Sequence, residues 1–565
     1  MKPRVRLLGY PLILFAVALG PGHAQNKDSR VVLDAMKAEL NRSMEKLKPQ
    51  PSPPYFLSYE ITETYTAGVA GSFGAITAAN ENRRRSLDID LRVGDNSLDN
   101  TRPIRGDMAF EMGGYSMIEA PLEDDAAAIR AVLWYNTDAR YKQAVEQLTK
   151  VKTNAQVKVA QEDKSADFSR EEPAKYSEKA VPIKVNLDAW KEKIKKYTAP
   201  FAQYDNIYGA NAALSVTNER RWFVNSEESE IEVAQPQCHL YLSAFTKADD
   251  GMELPRYKSY FAFTPEGLPD DASVLKVVEN MIKDLEALRI APVVEPYAGP
   301  AILSGRASGV FFHEVFGHRV EGHRQKREDE GQTFKKKINE KVMNEAFSIY
   351  FDPTVRRAAG TDLAGCFPYD NQGVKARRVG VVENGILKTF LMSRTPIENF
   401  PQSNGHGRKQ AGYRPVSRQS NLIVEVAPSA VQPDLKKMLI EQIKGEGKPF
   451  GLYFEDITGG FTMTGRFVPN AFNVTPVMVY RIYQDGHEEL VRGVDLIGTP
   501  LATFSRIIAA DTRLGVFNGV CGAESGGVPV SAVSPGILVS QIEAQKKEKS
   551  QERPPILPAP FKDSR

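Results

Sequence analysis

The sequence predicts an α+β protein, a mixed N-terminal α/β region followed by a mostly antiparallel β C-terminal domain. Three observations predict it. Apolar residues recur at three- and four-residue intervals in several stretches, β-branched and aromatic residues alternate with polar ones in others, and the Pro-rich Ala291–Pro300 separates two blocks. With 565 residues, 42% hydrophobic and 25% charged, the chain is long enough for several domains and too apolar for a disordered or fibrous one. Lys and Arg total 73 against 71 Asp and Glu, so nothing in the charge balance favours a nucleic-acid partner.

Lys2, Arg4 and Arg6 precede the apolar run Leu7–Leu19, and Gly22 and Ala24 supply the small residues of a cleavage site before Gln25. Residues 1–24 are therefore read as a signal peptide. The run is broken by Pro11 and falls short of the roughly 20 residues that a spanning helix needs. No later segment has that length either, so no membrane span is expected, and the chain is expected to be periplasmic or secreted. Removing three of the 73 basic residues leaves 70 against 71 acidic ones, a nearly neutral mature chain.

Arg30–Leu47 has the helix period, with Val32, Met36, Leu40 and Met44 on one face. Tyr55–Tyr65 and Arg85–Val93 alternate as strands. Helices are predicted over Ala126–Val151 and Leu187–Tyr197, separated by the polar Glu162–Lys179, with their charges as solvated faces. Ala213–Phe263 reads as a hairpin-rich sheet, and Asp271–Leu288 as an amphipathic helix. Beyond the Pro-rich boundary, hairpins turn at Asn384-Gly385 and at Asp485-Gly486. The predicted organisation is a signal peptide (1–24), an N-terminal α+β domain (25–293), a C-terminal domain (294–545) and a basic, Pro-rich disordered tail (546–565).

Phe311–His318 carries His313-Glu314 and His318, an HExxxH pattern on an apolar, helix-forming segment. Two imidazoles with a carboxylate beside the first are what a hydrolytic zinc site uses. The spacing is one residue longer than HExxH. A step of four keeps side chains about 40° apart on a helix, whereas a step of five separates them by about 140°. A regular helix would not serve, but a bulge or a helix end at Gly317 would bring His318 round. Of seven histidines, three fall within Phe311–His323. The third ligand is open between His323 and a distant residue, Cys521 in the glycine-rich turn Asn518–Gly522 foremost. Glu321 is a candidate for orienting a ligand imidazole. Cys238 and Cys366 are read as buried structural thiols, with a disulfide between them open, and Arg408, Arg414 and Arg418, in one polar loop, as candidate binders of a substrate carboxylate, Arg408 foremost.

The run Gly309–Gly322 closely resembles the signature of the TldD/PmbA metallopeptidases, once called modulators of DNA gyrase. Val381–Lys388 resembles that family's hairpin, Asn404–Arg408 its glycine-arginine loop, and Gly519–Gly522 with Val528-Pro529-Val530 its cysteine segment; these blocks cover roughly residues 294–545. The resemblance implies that His313, His318 and Cys521 bind Zn2+ and that Glu314 is the catalytic carboxylate. It also implies peptide or unfolded polypeptide substrates reaching a chamber in the N-terminal domain, and a homodimer or a heterodimer with a family paralogue. A catalytically silent scaffold paired with an active homologue is the alternative, against which the intact residue set argues. Two features depart from the pattern. Ala523-Glu524-Ser525-Gly526-Gly527 stands where many members have Lys-x-Gly-Gln, and the insertion 324–350, charged and read as helical, lies beside the motif as a lid or partner surface.

Overall fold

The computed structural model describes residues 30–104, 117–157, 163–178, 182–466, 472–498, 500–547, 552–557 and 559–560. The signal peptide read at 1–24 and much of the tail lie outside these residues. None of the described helices is long and apolar enough to cross a membrane.

The first sheet has seven strands and centres on Pro54–Ser72. On one side this strand pairs antiparallel with Ala75–Val93, through a two-residue turn at Phe73-Gly74 where both φ angles are positive (47° and 85°). That is the backbone of a tight hairpin turn matched to strand twist. On the other side follow Gly209–Asn225, Glu230–Lys247 and Glu253–Ala262, all antiparallel. Successive side chains on a strand point to opposite faces. Tyr59, Ile61, Ala67 and Val69 accordingly meet four helices on one face. Arg30–Leu47 and Ala126–Val157 pack over Tyr59 and Trp222, and Leu187–Thr198 and Asp271–Ile290 pack over Leu214 and Leu240.

The even-numbered side chains point the other way. Glu60 is buried there among Arg221, Lys409 and Asn371, in a polar contact between the two halves of the chain. Cys238 lies within the same sheet, and all three cysteines are free and buried, so no disulfide joins Cys238 to Cys366.

The second sheet has eleven strands and is mostly antiparallel. Its longest strand, Gly526–Lys546, pairs with Val494–Gly498 and also with Tyr297–Leu303, so five strands close into a ring. Against this ring lies the helix Gly305–Val315, buried from Ala307 to Val315. Ala307, Val310, Phe311, Phe312 and Val315 join the core, while Ser308, His313 and Glu314 are buried polar residues of the same helix. Ser304 caps its start by accepting a hydrogen bond from the Ala307 amide at 3.2 Å. The hairpins at Asn384-Gly385 and around Gly486 form as the sequence predicts.

Two expectations are corrected. The insertion 324–350 is not helical. It holds the end of the short helix His323–Lys326, one 3-10 turn at Lys335–Lys337 and the start of the strand Phe347–Phe351, and is otherwise irregular. Gln332 and Asn339 take positive φ angles, which a helix does not allow. Tertiary anchors hold the segment instead: Phe334 packs on Phe316 at 5.2 Å, and Arg324 pairs with Glu330 at 2.7 Å. Cys521, read as part of a turn, lies inside the strand Ile507–Ala523, and the chain reverses only after Ala523. Gly519 is there to admit the Phe517 ring, which a Cβ would meet at 2.8 Å.

Candidate metal centre

His313 sits in the last turn of the buried helix. The helix ends at Val315, and Gly317–Val320 continues as a 3-10 turn. The tighter winding turns His318 back toward His313, leaving the two rings at 77° with centroids 5.1 Å apart. Gly317 has no room for a side chain, since a Cβ would lie 1.9 Å from the Gln419 Oε1. Gln419 in turn donates from Nε2 to the His313 carbonyl at 3.4 Å. Arg319 closes the helix end, its Nη1 donating to the carbonyls of Glu314 (3.0 Å) and Val315 (3.3 Å).

From the far end of the sheet Cys521 brings its Sγ to 3.3 Å from the His318 Nε2. One donor atom each from His313, His318 and Cys521 lie within 4.8 Å of one another, and all three residues are buried. Among the described residues this is the group of histidine, cysteine and carboxylate side chains placed to hold a metal ion. Burial disfavours the Cys521 thiolate, but His318 and His313 outweigh it and hold the thiol well below its usual range. Burial likewise opposes charge on His318, and the Cys521 thiolate with Glu321 raises its basicity well above that of a free imidazole. Without a metal the group is therefore an ion pair, and a cation would take the place of the imidazolium proton.

Glu321 is fully buried. Its carboxylate lies 3.3 Å from the His318 Nδ1 and 2.9 Å from the Arg324 Nε. Burial would raise its pKa, but His318, Arg324 and Arg418 bring it down to about 2. Charged Glu321 fixes the tautomer that turns Nε2 toward the metal position. Glu314, beside His313, is buried to 7% exposure, with Gly460 close enough that a Cβ there would stand 3.0 Å from its Cγ.

The other predicted residues divide. His323 does not join the metal group; its Nε2 contacts Glu524, which also pairs with Arg324 at 2.9 Å. Glu524 lies in the segment where the sequence departs from the usual family pattern. Arg408 is buried beside Gln419, whereas Arg414 is exposed among Asp90, Arg92, Arg140 and Asp99 of the N-terminal half.

Arg418, read with Arg408 and Arg414 as a candidate binder of a substrate carboxylate, is instead bound within the protein. It is fully buried, donates to the Cys521 carbonyl at 2.6 Å and the Ser525 hydroxyl at 2.7 Å, and stands 3.4 Å from Glu321. It thus ties the strand carrying Cys521 to the carboxylate that orients His318. No local periodicity marks such a residue. Arg418→Met is expected to weaken metal affinity by about 10- to 100-fold, read by competition against a chelator; unchanged affinity would show that the strand needs no such tie.

Residues 297–546 match the family model of the PmbA/TldA metallopeptidase C-terminal domain. The chain is 30% identical over 350 residues to a metalloprotease of Methanothermobacter thermautotrophicus, covering 60% of this chain and 70% of that one. It is 27% identical over 253 residues to a zinc metalloprotease TldD homolog of Saccharolobus solfataricus, covering 44% and 52%. The fold is similar to that of TldE from Thermococcus kodakarensis, with a TM-score of 0.59 at 15% identity over 90% of this chain and 100% of that one. With the C-terminal domain matched and a relative aligned over most of its length, the chain belongs to the TldD/PmbA family of metallopeptidases.

Proposed function

We propose that this chain is a zinc-dependent peptidase that hydrolyses peptides or unfolded polypeptides outside the cytoplasm. The observation that carries the reading is the buried His313, His318 and Cys521 group with Glu314 adjoining it. Two imidazole nitrogens and one thiolate suit zinc, and three protein donors are the pattern of a catalytic rather than a closed structural site. When bound, the metal supplies Lewis acidity and water of lowered pKa.

The chain's own groups do the rest. A Glu314 carboxylate oxygen takes a proton from the attacking water and returns it to the nitrogen of the leaving amine. Glu321 and Arg418 hold His318 and Cys521 in place, so that little reorganisation accompanies the reaction. The basic and apolar pattern of residues 2–19 supports export.

The test is elemental mass spectrometry on the mature chain, followed by hydrolysis of a peptide library before and after chelation. About one zinc per chain and hydrolysis lost with the metal are expected. A chain that takes up no zinc when it is supplied overturns the reading.

A further inference from the structure

Buried cations in the C-terminal half mostly meet carboxylates. Arg324 has Glu321, Glu330 and Glu524; Lys409 has Glu60 and Asp88; Arg394 has Glu227 at 2.7 Å; Arg418 has Glu321. Arg408 differs. It lies on the two-residue strand Gly407–Arg408, only 4% exposed, with its guanidinium 4.5 Å from the centroid of the Phe367 ring. Its one hydrogen bond runs from Nη1 to the Gln419 carbonyl at 2.5 Å, and no carboxylate among the described residues pairs with it.

The charges around it do not compensate it. Arg418 and Arg221 repel it, and the favourable partner nearest in chemistry is the Cys521 thiolate. Burial pulls its pKa down to about 9, so the guanidinium is still charged at neutral pH. A buried charge without a partner is costly, and natural sites offset it with an anion.

Two links place this guanidinium at the metal group. Gln419, which receives the Arg408 hydrogen bond, also donates to the His313 carbonyl, and Arg408 lies within Coulombic reach of Cys521. The remaining Nε and Nη2 groups have no protein acceptor among the described residues, yet they are not sealed from solvent. A planar fork of N–H donors held rigid on a ring matches a carboxylate.

We propose that Arg408 receives a carboxylate of the peptide substrate, foremost the free C-terminal carboxylate. This rests on the peptidase reading. The C terminus is the one carboxylate every peptide carries, so recognition there requires no particular sequence and directs cleavage to bonds near the chain end.

The test measures equilibrium binding to the zinc-loaded Glu314→Gln chain of three probes: N-acetyl-tetraalanine, its C-terminal amide, and a tetrapeptide amide with one internal glutamate. The free acid is expected to bind about 10- to 100-fold more tightly than the amide, the range of a charge-assisted hydrogen bond, and the preference is expected to vanish in Arg408→Gln. A glutamate-bearing amide that binds as tightly as the free acid assigns Arg408 to acidic side chains and overturns the C-terminal assignment. Equal affinity for acid and amide, absent binding included, overturns the carboxylate proposal, as does a preference that survives Arg408→Gln. The first comparison uses unaltered Arg408, so it stands even where the variant does not fold. Metal content and library hydrolysis of the unmutated chain report on the peptidase reading separately.

Discussion

Cys521→Ala is expected to lower zinc affinity by at least about 100-fold, since it removes one of three donors where disturbing an outer partner alone costs 10- to 100-fold. Elemental analysis of the purified chain, backed by competition with a chelator, reads the effect. The variant also deletes one of the two anions that make His318 basic, leaving Glu321 alone to oppose the effect of burial on that imidazole. Cys238→Ala is the control. That thiol is buried in the N-terminal sheet and pushed up to about 12, chiefly by burial, so its loss should cost some stability and no metal. Full zinc occupancy and unchanged affinity in Cys521→Ala would remove this residue from the metal site.

Hydrolysis is expected to fall by about 10²- to 10⁴-fold in Glu314→Gln, with zinc still bound. The amide keeps the size of the carboxylate, so the close approach of Gly460 and the bond from Arg319 to the Glu314 carbonyl should both survive. Zinc content, thermal unfolding and kcat on one peptide separate the outcomes. A variant that keeps its metal and its rate would show that the proton is carried by another group, and one that loses its metal would make Glu314 part of the binding site.

Local periodicity made much of the fold legible. The helix Arg30–Leu47 forms at its predicted limits, and Leu187–Thr198 and Asp271–Ile290 run one and two residues past theirs. Strand length was less legible. Residues 75–84 belong to the strand Ala75–Val93, but nearly all of their side chains are exposed and show no apolar alternation. Ladder hydrogen bonds to Pro54–Ser72 make that part a strand, and such bonds leave no trace in side-chain pattern. The insertion 324–350 misled for the opposite reason. Its Lys and Glu residues favour a helix locally, while Arg324 and Phe334 are held by Glu524 and Phe316 outside the segment, and Glu330 by Arg324 at a spacing a helix face does not offer.

The sequence by itself determined the pair of histidines, the carboxylate between them, and the need for the helix to end so that a five-residue step could close. These are properties of one short segment, set by backbone geometry and by Gly317. What completes the centre comes from strand pairing far along the chain. Cys521 lies 203 residues from His318 and arrives because its strand pairs with the long strand that closes the ring. Glu321 and Arg418 lie in irregular segments and Arg408 on a two-residue strand, where sequence gives no reason to expect burial. Whether each became a solvated side chain, a tie between ligands or a cation without a carboxylate depended on which charges the packed sheets brought beside it, and that follows from long-range pairing rather than from local spacing.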